Sequence, residues 1–287
     1  NALGYQRELT DANHAAGSKI SGVAKDFKMP QVWKSSIAAD YNLPTSFPFS
    51  ITGEFMFTKN ISAVWIENIN VKDPQKANMA KFSGADDRYI YSDFNYVAGK
   101  NAVVLDNTSK GYGYTFNLTA NAEPIKNLQL MLAYTMTESK EVSGLPGSDP
   151  VSAWQGMYSV DGPNVGMLRR DATRVQRSQY VTPNKVIGSV NYYIAKSGTG
   201  LNLFYQGYSY SGNSFVYDND MNGDGYNYDA LYIPTDKQVA DGEFRFVSND
   251  DQQRFMDYVH NSSYLSKHQG EYAEAYSVYS PWVHRVD

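Results

Sequence analysis

The chain has 287 residues, a formal net charge of −5 at pH 7 and no cysteine. It can therefore form no disulfide, thiolate metal site or cysteine nucleophile, and its acidic balance gives no reason to expect a nucleic-acid partner. No run approaches the ~18 consecutive apolar residues that a membrane-spanning helix requires. Aromatic residues make up 14% of a chain that is 42% hydrophobic. This composition favours aromatic side chains that lie between apolar and polar surroundings. Such side chains occur on carbohydrate-binding surfaces, in β-rich repeats and in the aromatic girdles of membrane barrels.

The first regular pattern lies in residues 31–59 and predicts a β-hairpin. Trp33, Ile37 and Tyr41 fall on one face of its first strand, opposite mainly polar residues. A turn near Pro44 leads into a second strand with the same alternation. The two faces of this hairpin should therefore meet two different environments.

Two further hairpins are predicted, over 111–138 and 184–211. The clearest alternation places Tyr112, Tyr114, Phe116, Leu118 and Ala120 on one face and Gly113, Thr115, Asn117, Thr119 and Asn121 on the other. Short turns near Pro124 and Gly198 join the strands of these hairpins. Their apolar faces carry aliphatic residues in mid-strand, with tyrosine toward the strand ends.

The lengths of strands and connections separate a membrane barrel from a soluble β-sandwich, which also alternates. The predicted strands have about ten residues or more, as a tilted membrane-spanning strand requires, against a usual ~5–6 in globular proteins. Short turns alternate with long connections at 60–110, at 139–183 and from 211 onward. Short turns at one rim and long loops at the other are typical of outer-membrane barrels.

The sequence therefore predicts an all-β fold class. We expect a segment of a large antiparallel transmembrane β-barrel with short periplasmic turns, long extracellular loops and one short helix in a loop. Six strands cannot close such a barrel. We therefore expect residues 1–287 to form one partial barrel domain of a longer chain, with 212–284 as a long extracellular loop.

The sharpest local motif in that loop begins at Asp220. Asp220, Asn222 and Asp224 occupy the first, third and fifth positions of a segment with glycine at the sixth, which resembles the opening of a calcium loop. The Tyr226 carbonyl would supply the next ligand. The alternative interpretation is a cluster of Asn, Asp and Gly in exposed turns.

The second half of the motif departs from a calcium loop. Leu231 stands at the twelfth position, where a bidentate Glu is expected, so Asp229 or Asp218 would have to substitute. The candidate metal ligands are Asp220, Asn222, Asp224, Tyr226 and Asp229. Calcium is the expected cofactor, with a weak affinity on the order of 10⁻⁴ M.

The rest of the loop predicts a short helix and offers no catalytic constellation. Ser248 precedes a run with helical spacing, and Asp251 stands at the fourth place of a capping box, which predicts a helix over 249–260. Its expected role is to fold the loop over the barrel mouth. The four histidines show no paired metal-ligand spacing, and no nucleophile elbow or phosphate loop is present. We therefore expect no catalytic residue and no enzyme activity.

Several segments resemble a known family in order and spacing. They are residues 29–33 (Met-Pro-Gln-Val-Trp), 222–225 (Asn-Gly-Asp-Gly) followed by 229–234 (Asp-Ala-Leu-Tyr-Ile-Pro), 264–274 (Tyr-Leu-Ser-Lys-His-Gln-Gly-Glu-Tyr-Ala-Glu) and 280–287 (Ser-Pro-Trp-Val-His-Arg-Val-Asp). The chain resembles the barrel region of TonB-dependent outer-membrane receptors of Bacteroidetes, the Oar-like group. That family places Arg-Asn after the Ala-Glu pair, where this chain has Ala275 and Tyr276.

The resemblance implies a barrel of about 22 strands with an internal plug. It also implies import of a nutrient across the bacterial outer membrane. The expected partners are outer-membrane lipid, the TonB energy-coupling complex through parts absent from this chain, and a surface lipoprotein. The alternative from a different class is a secreted, soluble β-rich carbohydrate-binding domain whose loops are braced by calcium.

Overall fold

The computed structural model describes residues 20–69, 77–91, 102–142, 147–155, 158–159, 175–210, 212–218 and 220–287. In chain order, its strands are β1 Ile20–Val23, β2 Gln31–Asn42, β3 Phe49–Asn68, β4 Ala102–Thr108, β5 Tyr112–Ile125, β6 Leu128–Glu141, β7 Tyr158–Ser159, β8 Gln176–Arg177, β9 Asn184–Ile194, β10 Thr199–Ser209, β11 Gly212–Asn213, β12 Tyr228–Asp229, β13 Tyr232–Ile233, β14 Glu271–Tyr272, β15 Val278–Tyr279 and β16 Trp282–Val286. The helices are α1 Pro150–Gln155, α2 Asp236–Ala240, α3 Asn249–Asn261 and the 3₁₀ helix η1 Leu265–Lys267.

One 10-stranded sheet dominates the fold. Its order is β1-β4-β3-β5-β6-β9-β10-β16, with β2 also paired to β3 and β8 to β6. All of its pairs are antiparallel except the short parallel pair of β1 and β4. The prediction of an all-β fold built on an antiparallel sheet is therefore confirmed.

The connections within this sheet differ sharply in length between its two ends. Hairpins β2–β3, β5–β6 and β9–β10 lie where the sequence placed hairpins, and they turn through residues 43–48, 126–127 and 195–198. The connections at the opposite end, from β3 to β4, from β6 to β9 and from β10 to β16, are much longer. Successive antiparallel strands alternate in direction, so all the short turns share one end.

The first hairpin extends beyond its predicted boundary. β3 continues past residue 60 to Asn68, and its last residues pair with β4, which falls inside the predicted 60–110 connection. Trp65 and Ile66 are both buried although they point to opposite faces of the strand. The two-residue period therefore disappears here, as it does wherever both faces of a strand are covered.

Two other predicted boundaries shift for local reasons. The turn expected around Pro124 is confined to residues 126–127, where Asn127 has a φ of 66°. Pro124 lies within β5 at a register irregularity between Ala122 and Ile125, a position that tolerates a residue without an N–H. The predicted loop 212–284 was too long at its end, because Trp282 begins β16 and pairs with Ser209.

The register aligns the alternating side chains into rows across the sheet. One row joins Tyr41, Ile51, Ala120, Leu132 and Gly188. The next row on the same face joins Phe49, Ala122, Leu130, Val190 and Leu203. The opposite face carries rows such as Asp40, Thr52, Thr119 and Ala133. The sheet therefore has one apolar face and one mainly polar face.

The apolar face is exposed in the described part of the chain. Ile37 is 73% exposed, Leu132 58% and Leu203 53%. No residue of the apolar rows belongs to a buried hydrophobic cluster of the described residues. No second sheet or helix in that part of the chain therefore forms a sandwich with this face.

The buried core lies instead where the long connections meet the sheet. The largest cluster contains Trp65, Ile66, Tyr91, Val103, Val142, Val151, Ala153, Trp154 and Tyr226. A second cluster packs α3 and η1 through Ile233, Val259, Leu265 and Ala273. We refer to the described residues of 77–91, 147–155 and 212–281 together as the cap. No helix of the described residues is long and apolar enough to cross a membrane.

Helix α3 begins as predicted, at a serine cap. The Ser248 Oγ accepts a hydrogen bond from the Asp251 backbone N–H at 3.1 Å. The helix ends at Asn261, one residue past the predicted end. It packs into the cap through its buried Met256 and Val259.

Ser248→Ala should loosen the first turn of α3, because it leaves a helix N–H without its acceptor. The expected loss is about 1 kcal/mol, which corresponds to roughly fivefold faster amide exchange in that turn. Ser248→Thr keeps the hydroxyl and should restore the slower exchange. Equal exchange rates in Ser248→Ala and the unmodified chain would contradict the capping role.

Candidate metal centre

The loop that begins at Asp220 is folded around its own carboxylates. Asp220 Oδ1 accepts hydrogen bonds from the N–H groups of Gly223 at 2.7 Å and Asp224 at 3.1 Å. Asp220 Oδ2 accepts another from Gly225 at 2.9 Å. Asp224 Oδ1 in turn accepts from the Tyr226 N–H at 2.8 Å. These bonds wind the backbone into a compact coil.

Two glycines let this coil pack tightly against the rest of the cap. Gly223 and Gly225 have φ values of 80° and 95°, in the left-handed region that favours glycine. A Cβ on Gly223 would lie 1.9 Å from the Tyr91 carbonyl oxygen, and one on Gly225 would lie 2.5 Å from the Trp154 ring. Both positions therefore require glycine for conformation and for space.

Three carboxylates converge in the coil. One oxygen each of Asp220, Asp224 and Asp229 lie within 4.8 Å of one another. Asp224 is 1% exposed and Asp229 is fully buried. The structure thus selects Asp229 as the carboxylate that joins the motif, whereas Asp218 is exposed. Leu231, at the position of the expected Glu, packs against the hydrophobic cluster of α3 and η1.

The other two predicted ligands have partners of their own. The Asn222 Oδ1 accepts from the Asp224 N–H at 3.2 Å, and the Asn222 carbonyl accepts from the Tyr91 N–H at 2.6 Å. The Tyr226 ring is fully buried, and its centroid lies 4.7 Å from that of Trp154. Tyr226 therefore anchors the loop through its side chain, which the motif alone did not predict.

A buried arginine adjoins the carboxylates. Arg88 is fully buried and holds Asp86 through two bonds, at 2.9 Å from Nε and 3.0 Å from Nη2. Its Nη2 also donates to the Ala230 carbonyl at 2.7 Å, and its Nη1 lies 3.8 Å from Asp229 Oδ1. The guanidinium stacks over the Tyr272 ring at 5.0 Å. Arg88 thus connects the first long connection to the third.

The buried carboxylate of Asp229 is electrostatically strained. Burial raises the pKa of Asp229 to about 6, while the Met221 N–H and Arg88 act in the opposite direction. Burial, the Asp86 charge and the hydrogen bond to Asp86 also raise the pKa of Tyr272. Charged groups removed from water require compensation by partners or ions. The loop therefore gathers negative charge in a place where water screens it poorly.

Sequence reasoning missed the role of Arg88 and of Trp154. The run Asp86-Asp87-Arg88 predicts a solvated or internally paired loop. In the structure, its two aspartates have different partners. Asp86 pairs with the buried Arg88, whereas Asp87 pairs with Lys81 at the surface. A tryptophan isolated in a polar connection was the available signal for a buried anchor, because a large ring seldom remains exposed without function.

The other polar residues considered from sequence lie apart from this loop. His260 contacts Asp236, His268 contacts Glu271 and His284 contacts Tyr205, so these three histidines do not converge. Arg177 bonds Glu138 at 3.1 Å. In the sequence, Arg177 belongs to a small basic cluster with Arg169, Arg170, Asp171 and Arg174, which suits either an acidic ligand group or an internally paired loop. Those four residues lie outside the described residues, as does His14.

Comparisons of the chain with family models, with curated proteins and with solved structures find no match. The resemblance to TonB-dependent receptors therefore stays an expectation from sequence.

Replacing Arg88 with methionine should destabilise the cap strongly. The change leaves Asp86 buried without its cation and removes the charge beside Asp229, for an expected loss of about 3–5 kcal/mol. Lys81→Met is the matched control, since it breaks the exposed pair with Asp87 and should cost at most about 1 kcal/mol. Denaturant unfolding followed by tryptophan fluorescence measures both. Similar losses in the two variants would contradict a structural role for the buried arginine.

Proposed function

We propose that this chain is part of the wall of a bacterial outer-membrane β-barrel that imports a nutrient, as a TonB-dependent receptor does. The observation that carries the proposal is the exposed apolar face of a single antiparallel sheet. In a water-soluble protein such a face is normally covered by a second layer. A membrane barrel leaves it bare because lipid covers it.

The height of the apolar face suits a bilayer. From Phe49 to Phe57 the apolar rows extend about 27 Å along β3, at ~3.4 Å per residue. With a strand tilt of ~40°, this corresponds to about 21 Å across the membrane, close to the ~25 Å apolar band of known barrels. At the long-connection end, Lys59, Tyr112 and Lys140 form the bordering row. Lysine and tyrosine suit the boundary between lipid and water.

The opposite face suits a wet interior. Thr52 Oγ1 donates to Asp40 at 2.6 Å, and Thr135 Oγ1 donates to Asn117 at 2.8 Å. Asn117 also reaches Glu54 at 3.4 Å. These cross-strand polar contacts occur in mid-strand, at the same depth as the apolar rows behind them. Polar residues facing a lumen at that depth are characteristic of wide barrels.

The edges of the sheet fit a partial ring. Among the described strands, β2 pairs with β3 alone and β16 with β10 alone. Backbone groups within a bilayer must all be hydrogen-bonded, so a sheet with open edges is not viable there. Under this proposal, further strands pair with β2 and β16 and close the barrel.

The cap then supplies the ligand-capture surface. All the long connections leave the sheet at one end, so under this proposal they face the cell exterior, and the short turns face the periplasm. The wall performs no covalent chemistry. It holds a pore through lipid, while the cap selects what enters. The resemblance adds a plug in the pore, a TonB complex that moves the plug and a surface lipoprotein that presents ligand.

The aggregation state of the chain with and without detergent tests whether lipid covers the exposed apolar face. The purified chain should remain monodisperse in a mild detergent. It should aggregate when the detergent is removed, because exposed apolar rows associate in water. Size-exclusion chromatography with light scattering measures this. A chain that stays monomeric without detergent would instead support the soluble, carbohydrate-binding alternative.

Adjacent residues of β5 allow a matched test of the two faces. Leu118→Arg places a charge on the apolar face, where it costs about 2–4 kcal/mol near the bilayer centre. Thr119→Arg places the same charge on the polar face, at the same depth in the same strand. In the closed barrel that the proposal requires, Leu118→Arg should sharply reduce the protein recovered in the outer membrane, and Thr119→Arg should leave most of it. Equal recovery of the two variants would contradict the assignment of faces.

A further inference from the structure

We infer that the loop 220–229 binds calcium through Asp220, Asp224 and Asp229, and that the bound ion fastens the three long connections into one cap. This inference goes beyond the barrel proposal and does not depend on it. The loop would carry the same chemistry in a soluble protein.

A buried oxygen without a hydrogen-bond donor favours a cation at these carboxylates. Asp229 is fully buried, and its Oδ1 has no hydrogen-bond donor among the described residues. The nearest cationic atom described, Arg88 Nη1, lies at 3.8 Å, beyond hydrogen-bonding distance. Buried polar atoms are nearly always bonded, so an orphaned carboxylate oxygen beside two other carboxylates requires an explanation.

The local charges also favour a bound cation. Arg88 Nε and Nη2 are engaged by two bonds to Asp86 and one to Ala230, whereas its buried Nη1 has no hydrogen-bond acceptor among the described residues. Its single positive charge lies beside two carboxylates, Asp86 and Asp229, and Asp229 also converges with Asp220 and Asp224. A bound divalent ion would offset the excess and bond the free oxygen of Asp229 directly.

The donor set selects calcium as the class of ion. Three carboxylates offer hard oxygen ligands, which suit calcium rather than a thiophilic or imidazole-preferring metal. The three aspartate oxygens already fall within 4.8 Å of one another. Magnesium usually keeps several waters and is bound by one or two carboxylates, so this set fits it less well.

The position of the loop explains why the ion would fasten the cap. Asn222 accepts from Tyr91 in the first long connection, and the Asn227 N–H donates to the Gln155 carbonyl at 3.0 Å in the second. Within the third connection, the Tyr217 N–H donates to the Asp229 carbonyl at 2.8 Å. An ion that fixes the loop therefore fixes three segments that are distant in sequence.

Terbium luminescence provides the test, because terbium replaces calcium and is sensitised by nearby aromatic rings. Trp154 packs against Gly225 and Tyr226 at the loop, so indole excitation of the full chain in detergent should produce terbium emission. Calcium at about 10⁻⁴–10⁻³ M should displace the terbium. Magnesium at the same concentration should displace less than a tenth as much. Emission that is absent, or displaced equally by both ions, overturns the calcium assignment.

Isosteric variants identify the ligands. Asp224→Asn and Asp229→Asn should each weaken terbium binding at least tenfold, whereas the exposed Asp257→Asn in α3 should leave it unchanged. Without calcium, both loop variants should be at least as thermostable as the unmodified chain, since they relieve charge repulsion. This distinguishes lost binding from lost folding. Binding unchanged in both loop variants overturns the site.

Proteolysis tests the fastening of the cap. Calcium should raise the melting temperature of the chain and slow cleavage within 77–91 at least fivefold, and neither effect should occur in Asp229→Asn. Terbium binding without protection of 77–91 overturns the fastening while leaving the ion site. A chain that needs no detergent but still binds terbium would overturn the barrel proposal alone.

Discussion

The three hairpins that form most of the sheet depend on a two-residue period that stays in register from one strand to the next. Apolar side chains form continuous rows only because each hairpin aligns like residues opposite one another, as Leu132 aligns with Ala120 and Gly188. A slip of one residue in any strand would transfer its apolar set to the polar face. Each hairpin strand is therefore held in place both by its backbone bonds and by the difference between the two faces.

The chain divides its apolar residues between two uses. The apolar rows of the sheet remain exposed within the described residues, whereas a conventional core between the end of β3 and the cap buries large rings such as Trp65 and Trp154. The cap is thus the part of the chain that packs as a globular domain does. The buried ion pair of Arg88 with Asp86 lies within the cap, and the Arg88 guanidinium packs over the rings of Tyr217 and Tyr272. Long connections with such a core can hold a defined shape.

Sequence reasoning succeeded where one local rule decided the structure. Alternation located the hairpins, and the serine cap located α3. It failed where the structure depends on distant partners. The end of β3 and the whole of β4 are covered on both faces, so their apolar residues show no period. Pro124 was expected in a turn. It lies instead at an irregularity of the β5–β6 ladder, and this position depends on the pairing with β6.

The candidate site shows the same limit. The spacing of Asp220, Asn222 and Asp224 predicted the coil, and its carboxylates do converge. The choice of Asp229 over Asp218, and the neighbouring Arg88, follow from contacts across more than a hundred residues, such as that between Arg88 and Ala230. Local sequence carries no trace of these contacts.

The extra length of β3 has a consequence for how a barrel of this kind would meet its surroundings. β3 continues from Phe57 to Asn68, about 37 Å at ~3.4 Å per residue, with β4 alongside. At a tilt of ~40° the wall would rise about 28 Å above the hydrocarbon, well past head groups that occupy roughly 5–8 Å. A bulky ligand would then contact protein before any lipid, because the entrance of the pore would lie above the membrane surface.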